Sequence, residues 1–194
     1  MKPLVLSFVA SVPGPSMLPP CGLPEICLAG RSNVGKSSIV NRLSTGNPAR
    51  TSQRPGCTRM FNLYRALEGF VLVDLPGYGY AEAPVEDRRR WPVWIGEYLS
   101  TRRELAGVVL VVDARHPALD SDAGAAQALR ESGREFLVVL NKSDKMGRAR
   151  LAGSLASAGS LGPVIAVSCR TGEGMDPLRR WILRTALGKG EGPR

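Results

Sequence analysis

Apolar and polar positions follow two different periods along the chain. Continuous apolar runs, such as residues 108–112 and 136–140, are typical of strands that are buried on both faces of a parallel sheet. Other stretches repeat apolar residues at helical spacing. In the stretch 91–103, one helical face would carry Trp91, Trp94, Ile95, Tyr98 and Leu99. The alternation of the two kinds of stretch predicts an α/β protein with three layers and a mainly parallel sheet.

The boundaries of these elements follow from the same pattern and from the glycines and prolines. Strands are predicted at 25–30, 107–113, 135–140 and 163–167, and helices at 36–44, 91–103, 120–132, 147–158 and 176–187. Two more strands, at 59–67 and 69–74, meet at Glu68-Gly69, and this short connection predicts one antiparallel hairpin. Pro92 would then lie in the first turn of its helix, where its missing N–H costs nothing.

Length and composition favour one domain, because 194 residues suffice for a substantial core. Residues 1–24 are rich in proline and glycine and are predicted as an irregular arm with a short strand at 4–9. Residues 25–187 form the predicted domain, and residues 188–194 a flexible tail. The polar stretch 46–57 is predicted as a long loop, and loops of this length usually have a function.

A glycine-rich motif separates the strand at 25–30 from the helix that follows it. It fits the pattern G-x-x-x-x-G-K-[ST] and consists of Gly30, Arg31, Ser32, Asn33, Val34, Gly35, Lys36 and Ser37. Between a strand and a helix, this pattern predicts a loop whose backbone N–H groups and helix dipole bind phosphate. Lys36 would contact the β- and γ-phosphates, and the Ser37 hydroxyl would bind Mg²⁺. The alternative, an ordinary glycine-rich turn, is disfavoured by the motifs that follow.

The predicted hairpin ends in a D-x-x-G motif, Asp74-Leu75-Pro76-Gly77. An aspartate at this place would hold Mg²⁺ through water, and the N–H of Gly77 would meet a γ-phosphate. Alone the motif is a weak signal. It gains weight because it follows the phosphate loop and stands at the end of a strand.

The long loop ends at Gly56, Cys57 and Thr58. The Thr58 hydroxyl would close over Mg²⁺ only when the γ-phosphate is present, which would make the loop an order–disorder switch. Thr51 and Ser52 are competing candidates for this role. Thr58 is favoured because it directly precedes the next strand.

Two later strand ends predict a guanine site. The loops after them are Asn141-Lys142-Ser143-Asp144 and Val167-Ser168-Cys169. The Asp144 carboxylate would accept hydrogen bonds from N1–H and the 2-amino group of guanine, neither of which adenine offers. Lys142 would lie along the base, Asn141 would tie this loop to the phosphate loop, and the second loop would present backbone N–H groups to guanine O6. Four such loops in this order predict a P-loop NTPase of the Ras-like kind that binds GTP and GDP.

Charge and cysteine usage narrow the partners. With 26 Lys and Arg against 17 Asp and Glu, the chain has a net charge of +9, which favours a polyanion such as RNA; a merely solvated basic surface is the alternative. Four cysteines without C-x-x-C spacing and a single histidine disfavour a zinc site. No apolar run is long enough to span a membrane. The N-terminal stretch faintly suggests a signal peptide, but Ser7 interrupts its short apolar run and prolines follow, so this interpretation is rejected and a cytoplasmic chain is expected. Nothing in the pattern indicates a stable oligomer.

Three segments resemble one family. Residues 30–38 (GRSNVGKSS), the P-G-x-T at 55–58, and residues 74–81 (DLPGYGYA) followed by Trp91 are similar to the EngB/YihA family of ribosome-assembly GTP-binding proteins, in the TrmE-Era-EngA-EngB-septin-like class. The resemblance implies a Mg²⁺-dependent GTP switch that acts on the large ribosomal subunit and its RNA and is linked to normal cell division and septation. Cys57 stands where a basic residue is frequent in the family, and Ser143 where alanine is common.

Catalysis is the least constrained part of this interpretation. Tyr78 stands where Ras-type switches have the glutamine that orients the attacking water, so slow intrinsic hydrolysis is expected. Related GTPases with an asparagine at the place of Asn33 use it to hold K⁺ beside the phosphates. The candidate catalytic residues are therefore Asn33, Lys36 and Thr58. Arg54, Arg59 and the run 88–90 lie in or beside the switch loops and are expected to face RNA.

Two other functions stay open at this level. One is a nucleotide-gated protein adaptor in cell division, in which hydrolysis is incidental. The other is a GTPase domain that acts on a different RNA, such as tRNA. The basic charge favours an RNA partner over a purely protein one.

Overall fold

The computed structural model describes residues 2–49, 60–79 and 85–188, with the backbone alone for residues 85–92. Several predicted features lie outside the described residues. They are the loop positions Gly56, Cys57 and Thr58 with their competitors, the side chains of Arg54, Arg59 and residues 88–90, and the tail from 189 onward.

Among the described residues, seven strands form one sheet in the spatial order β1-β3-β4-β2-β5-β6-β7. They are β1 (Leu6–Val12), β2 (Glu25–Gly30), β3 (Phe61–Ala66), β4 (Phe70–Asp74), β5 (Leu105–Asp113), β6 (Glu135–Asn141) and β7 (Val164–Ala166). The strands β4, β2, β5, β6 and β7 run parallel, and β3 pairs antiparallel with β4. The predicted α/β class with a mainly parallel sheet and a hairpin is confirmed.

In the part of the chain that the structure describes, five α-helices cover the two faces of the sheet. They are α1 (Lys36–Leu43), α2 (Val85–Thr101), α3 (Asp120–Glu131), α4 (Arg148–Gly159) and α5 (Met175–Leu187). Apolar residues of α2, α3 and α4 pack on one face and those of α1 and α5 on the other, which gives the three layers. In β5, Val108 and Leu110 belong to one core and Val109 and Val111 to the other, so the strand is apolar throughout because both of its faces are buried.

The N-terminal segment has more regular structure than its composition predicts. The strand expected at 4–9 runs instead from Leu6 to Val12 and pairs antiparallel with β3, so that β1 forms one edge of the sheet. A 3₁₀-helix follows at Pro15–Met17. Four of the seven residues of β1 are exposed, so buried and exposed positions do not alternate clearly along the strand. For this reason the hydrophobic pattern of the sequence indicates only a short strand here.

The second helix begins earlier than predicted. It starts at Val85 rather than at 91, so Pro92 lies in the helix interior and not in the first turn. The sequence has a signal for this earlier start in Glu86 and Asp87, because acidic residues are frequent in the first turn of a helix.

The far end of α2 is held by a buried ion pair. Tyr98 donates its hydroxyl to Glu25 at 2.9 Å, and Arg102 donates from two nitrogens to the same carboxylate, the shorter bond being 2.6 Å. Arg102 also donates to the carbonyl of Pro19, which ties the N-terminal segment to the domain. Within the described ranges, no helix is long and apolar enough to cross a membrane.

Candidate nucleotide-binding site

The phosphate loop joins the carboxyl end of β2 to the first turn of α1, at the edge of the sheet where ligands bind in this class of fold. Gly35 precedes the helix with φ 102°, and a Cβ there would lie 2.3 Å from Nδ2 of Asn141, so only glycine allows the two loops to approach. No side chain caps the N-terminus of α1 within the part that the structure covers. The geometry therefore suits an anion, which the first-turn N–H groups and the helix dipole would bind.

Lys36 lies buried under this loop. Its Nζ donates to the carbonyl oxygens of Gly30 at 2.9 Å and of Arg31 at 3.1 Å. Burial lowers the pKa of Lys36 to about 8, although the nearby charge of Asp74 acts in the opposite direction. The ammonium group is thus poorly solvated, and an anion beside it would be bound strongly.

Ser37 and Asp74, the two described residues that are predicted to bind Mg²⁺, lie next to each other. The Ser37 hydroxyl donates to Oδ2 of Asp74 at 2.6 Å. The other carboxylate oxygen, Oδ1, is buried and has no hydrogen-bond partner among the described residues. Burial raises the pKa of Asp74, against the opposing effects of Lys36 and Ser37. A buried oxygen without a partner beside a hydroxyl fits a hard cation such as Mg²⁺, which takes few protein ligands and keeps several waters.

The loop after β6 is tied to the phosphate loop as predicted. Asn141 donates from Nδ2 to the carbonyl oxygen of Val34 at 2.8 Å, and Lys142 donates from Nζ to that of Asn33 at 2.6 Å. Both Asn33 and Lys142 have left-handed backbone conformations, with φ of 63° and 66°. The two side chains fix the distance between the phosphate loop and the base-recognition loop.

Asp113, at the end of β5, completes this arrangement and is a residue that sequence reasoning missed. Its Oδ2 accepts from Lys142 at 2.9 Å and from Arg115 at 2.7 Å. Burial by itself raises the pKa of Asp113, but hydrogen bonds from Arg115 and Lys142 outweigh it and hold the pKa well below its usual range. Asp113 is paired with Asn141 in the β5–β6 register, so its place at a strand end was the available signal.

Asp144 is held in place by two donors. Ser168 donates its hydroxyl to Oδ1 at 2.6 Å, and Arg170 donates from Nε to Oδ2 at 2.7 Å. These two hydrogen bonds lower the pKa of Asp144, so the carboxylate stays charged and able to accept. Arg170 was not among the predicted site residues. Its side chain is 73% exposed, so it lies on the solvent side of the Asp144 carboxylate.

Ser143, Val167 and Cys169 are the remaining predicted residues of these loops, and each of them contacts other parts of the protein. Ser143 is buried, and its N–H donates to the carbonyl of Val167 at 3.2 Å. Val167 is fully buried in the core, and the Cys169 thiol lies 3.5 Å from Oδ1 of Asn141. Burial raises the pKa of Cys169 to about 11, so it is a neutral thiol at the rim of the site.

The D-x-x-G segment lies directly on the phosphate loop. Leu75 and Pro76 are buried, and a Cβ at Gly77 would lie 2.7 Å from both N and Cα of Ser32. The Ser32 N–H donates to the carbonyl oxygen of Tyr78 at 2.9 Å. Glycine is therefore needed at position 77 because the two backbones are in contact.

The fold and these four loops together define a GTP-binding P-loop protein of the GTP-hydrolysing class. A family described as 50S ribosome-binding GTPase matches residues 25–142. A probable GTP-binding protein EngB from Lactiplantibacillus plantarum is 41% identical over 192 residues, with 95% of each chain covered. Another from Salmonella paratyphi C is 49% identical over 141 residues, which cover 72% of this chain and 67% of the relative. The chain belongs to the EngB family of GTP-binding proteins.

Solved structures agree with this assignment. The crystal structure of a probable GTP-binding protein EngB superposes with a TM-score of 0.70 at 27% identity, covering 85% of this chain and 100% of the other. Era in complex with MgGDPNP and part of 16S ribosomal RNA gives a TM-score of 0.70 at 22% identity, over 88% of this chain and 59% of Era. At that identity the likeness to Era is one of fold.

Proposed function

We propose that this chain is a Mg²⁺-dependent GTP switch that acts in assembly of the large ribosomal subunit and binds its RNA in the GTP-loaded form. The match of residues 25–142 to a family described as 50S ribosome-binding GTPase carries this proposal. The net charge of +9 supports an RNA partner, because a basic surface attracts the phosphate backbone. The protein would act in the cytoplasm, and its link to cell division and septation would follow from ribosome supply.

Residues of the predicted loops would supply the chemistry that such a switch needs. Ser37 and Asp74 would hold Mg²⁺, with Thr58 joining them when the γ-phosphate is present. The ion would neutralise charge on the β- and γ-phosphates. Lys36 would exchange its two carbonyl partners for phosphate oxygens, and the Gly77 N–H would meet the γ-phosphate.

Intrinsic hydrolysis would be slow. Tyr78 stands at the place of the Ras-type glutamine, and its phenol ring lacks the amide group that orients the attacking water there. Asn33 is exposed on the phosphate loop and would hold K⁺ there, where the ion would supply the charge that an arginine finger supplies elsewhere.

Co-sedimentation with large ribosomal subunits tests the proposal. The wild type is loaded with GDP or with a non-hydrolysable GTP analogue and compared with a variant in which Arg88, Arg89 and Arg90 are changed to alanine. We expect binding that needs the analogue, weakens with salt and falls in the variant, because several phosphate contacts make affinity steeply salt-dependent.

A matched control also removes three positive charges, but on the side of the sheet where the parallel strands begin. Arg103, Arg180 and Arg184 are exposed, and the end of α5 packs against Gly107 at the start of β5. Changing these three to alanine should leave binding nearly unchanged. Binding that ignores the nucleotide would refute the proposed switch, and nucleotide-dependent capture of division proteins without ribosomes would favour an adaptor. Binding to tRNA in place of subunits would favour the other RNA target.

A further inference from the structure

A buried cluster connects the phosphate loop, the D-x-x-G segment and α3. Oδ1 of Asp122, in the first turn of α3, accepts from the Tyr78 hydroxyl at 2.9 Å and from Nε of Arg31 at 3.2 Å. Arg31 also donates from Nη2 to the carbonyl oxygen of His116 at 3.2 Å. The side chain of the first variable residue of the phosphate loop is therefore directed at α3.

Asp122 is costly to bury. It is fully buried, and its Oδ2 has no hydrogen-bond partner among the residues that the structure describes. Burial raises the pKa of Asp122, and the hydrogen bonds from Tyr78 and Arg31 oppose that shift. A buried carboxylate that loses a donor is strongly penalised, so the three side chains stay together or separate together.

This cluster determines where the backbone of the D-x-x-G segment lies. With the Tyr78 ring anchored on α3, its carbonyl oxygen accepts the N–H of Ser32, and residues 31 and 78 form a parallel bridge. Gly77 is pressed onto Ser32 so closely that a Cβ would lie 2.7 Å away. One amide donor of the phosphate loop is thus bonded to protein.

A γ-phosphate needs the same region. In GTP-binding proteins with these motifs, the γ-phosphate lies between the phosphate loop and the D-x-x-G glycine, and it accepts a hydrogen bond from the N–H of that glycine. Gly77 and Ser32 are in close contact, and the Ser32 N–H is already bonded to Tyr78, so we expect the two segments to move apart when a γ-phosphate enters. The α- and β-phosphates lie at the N-terminus of α1 and do not require this separation.

We propose that Asp122 is a positioning residue that, through Tyr78 and Arg31, holds residues 75–79 on the phosphate loop and thereby sets the preference for GDP over GTP. The state with Tyr78 anchored accepts GDP, and GTP binds only after the anchor opens. The apparent affinity for GTP is therefore reduced by the fraction of molecules that are anchored. This goes beyond the proposed ribosomal role and needs only that the protein binds guanine nucleotides.

The test compares Tyr78→Phe with the wild type in binding GDP and a non-hydrolysable GTP analogue. The variant keeps the ring and loses the hydroxyl that Asp122 accepts. We expect affinity for the GTP analogue to rise by up to about tenfold, as for loss of a hydrogen bond to a charged group, with affinity for GDP unchanged.

Tyr98→Phe is the matched control. It also removes one buried hydroxyl that donates to a buried carboxylate. That carboxylate belongs to Glu25, the first residue of β2, at the opposite end of the strand from the phosphate loop. Both variants should lose stability, but only Tyr78→Phe should change the ratio of GDP to GTP affinity. Amide hydrogen exchange at Ser32 should also become faster in Tyr78→Phe alone.

Asp122→Asn serves as the second variant in case Tyr78→Phe does not fold. It keeps an oxygen for the hydroxyl but loses the charge that pairs with Arg31, so the ratio should shift in the same direction. An unchanged ratio, an equal change for both nucleotides, or a loss of GTP affinity alone would overturn the proposal. The measurements use no ribosomes, so their failure would leave the proposed ribosomal role as it stands.

Discussion

The side-chain amide of Asn141 donates a 2.8 Å hydrogen bond to the carbonyl oxygen of Val34, which is 107 positions earlier in the chain. The bond is buried and joins the base-recognition loop to the phosphate loop. A rigid distance between these loops would match the fixed distance between guanine and the phosphates. We therefore expect the bond to act on nucleotide affinity as well as on stability.

Replacing Asn141 with alanine should weaken GDP and GTP binding together. The buried Val34 carbonyl would lose its partner, and such a loss costs roughly 1–3 kcal/mol. Isothermal titration calorimetry and urea unfolding check the two effects. Asn62→Ala is the control, because Asn62 accepts from Ser11 at 2.8 Å on the outer strands of the sheet. It should lower stability slightly and leave nucleotide affinity unchanged.

Asp144→Asn should weaken binding of both guanine nucleotides and shift preference toward xanthine nucleotides, whose N1–H and C2 carbonyl match an amide. Ser168 and Arg170 hold the Asp144 carboxylate, which would accept hydrogen bonds from guanine in the wild type. Competition binding with GTP, XTP and ATP measures the change, with the exposed Asp120→Asn as control. If the wild type bound ATP as tightly as GTP, the guanine site would be misassigned.

Nucleotide affinity should fall as the pH rises above about 8, the pKa of buried Lys36. Phosphate binds the charged form of Lys36 and therefore raises the pKa of Lys36 further. Below pH 8 Lys36 is already charged, so nucleotide affinity does not depend on its titration. Above pH 8 Lys36 takes up a proton when the nucleotide binds, and affinity therefore depends on pH. Affinity should then drop by up to about tenfold per pH unit. Calorimetry between about pH 7 and pH 9 measures the slope.

Lys36→Arg is the control for this slope. Arginine stays charged throughout, so the variant should bind more weakly but lose the dependence that belongs to Lys36. The titration of guanine itself is common to both proteins. Equal slopes in the two proteins would mean that Lys36 does not contact the nucleotide.

Hydrolysis should become faster when K⁺ replaces Na⁺ at constant ionic strength. Asn33 is exposed on the phosphate loop, where a bound monovalent cation would neutralise charge that develops between the β- and γ-phosphates. Single-turnover GTP hydrolysis in the two salts measures the effect, and Asn33→Ala should abolish the difference. Identical rates for the wild type would leave a ribosomal group as the activator.

The sequence by itself determined the layers and the order of the strands and helices, and it assigned the predicted nucleotide loops to the ends of particular strands. These features depend on local spacing: the apolar runs of β5 and β6, the turn signals, and the motif beginning at Gly30. Local rules were less successful where short-range signals compete, so the start of α2 and the position of Pro92 were wrong. The role of Thr58 stays a prediction.

Only the tertiary structure decided which distant side chains meet. Asp113 holds Lys142, and Arg170 borders Asp144. Asp122 joins Tyr78 to Arg31, and Arg31 lies 91 positions before Asp122 in the chain. No local pattern marks such pairs, because an aspartate in a first helical turn or at a strand end is ordinary by itself. The partners of such an aspartate depend on how the helices and loops are placed on the sheet. The free energy of its interactions depends on how deeply it is buried. Both arise only when the chain is folded.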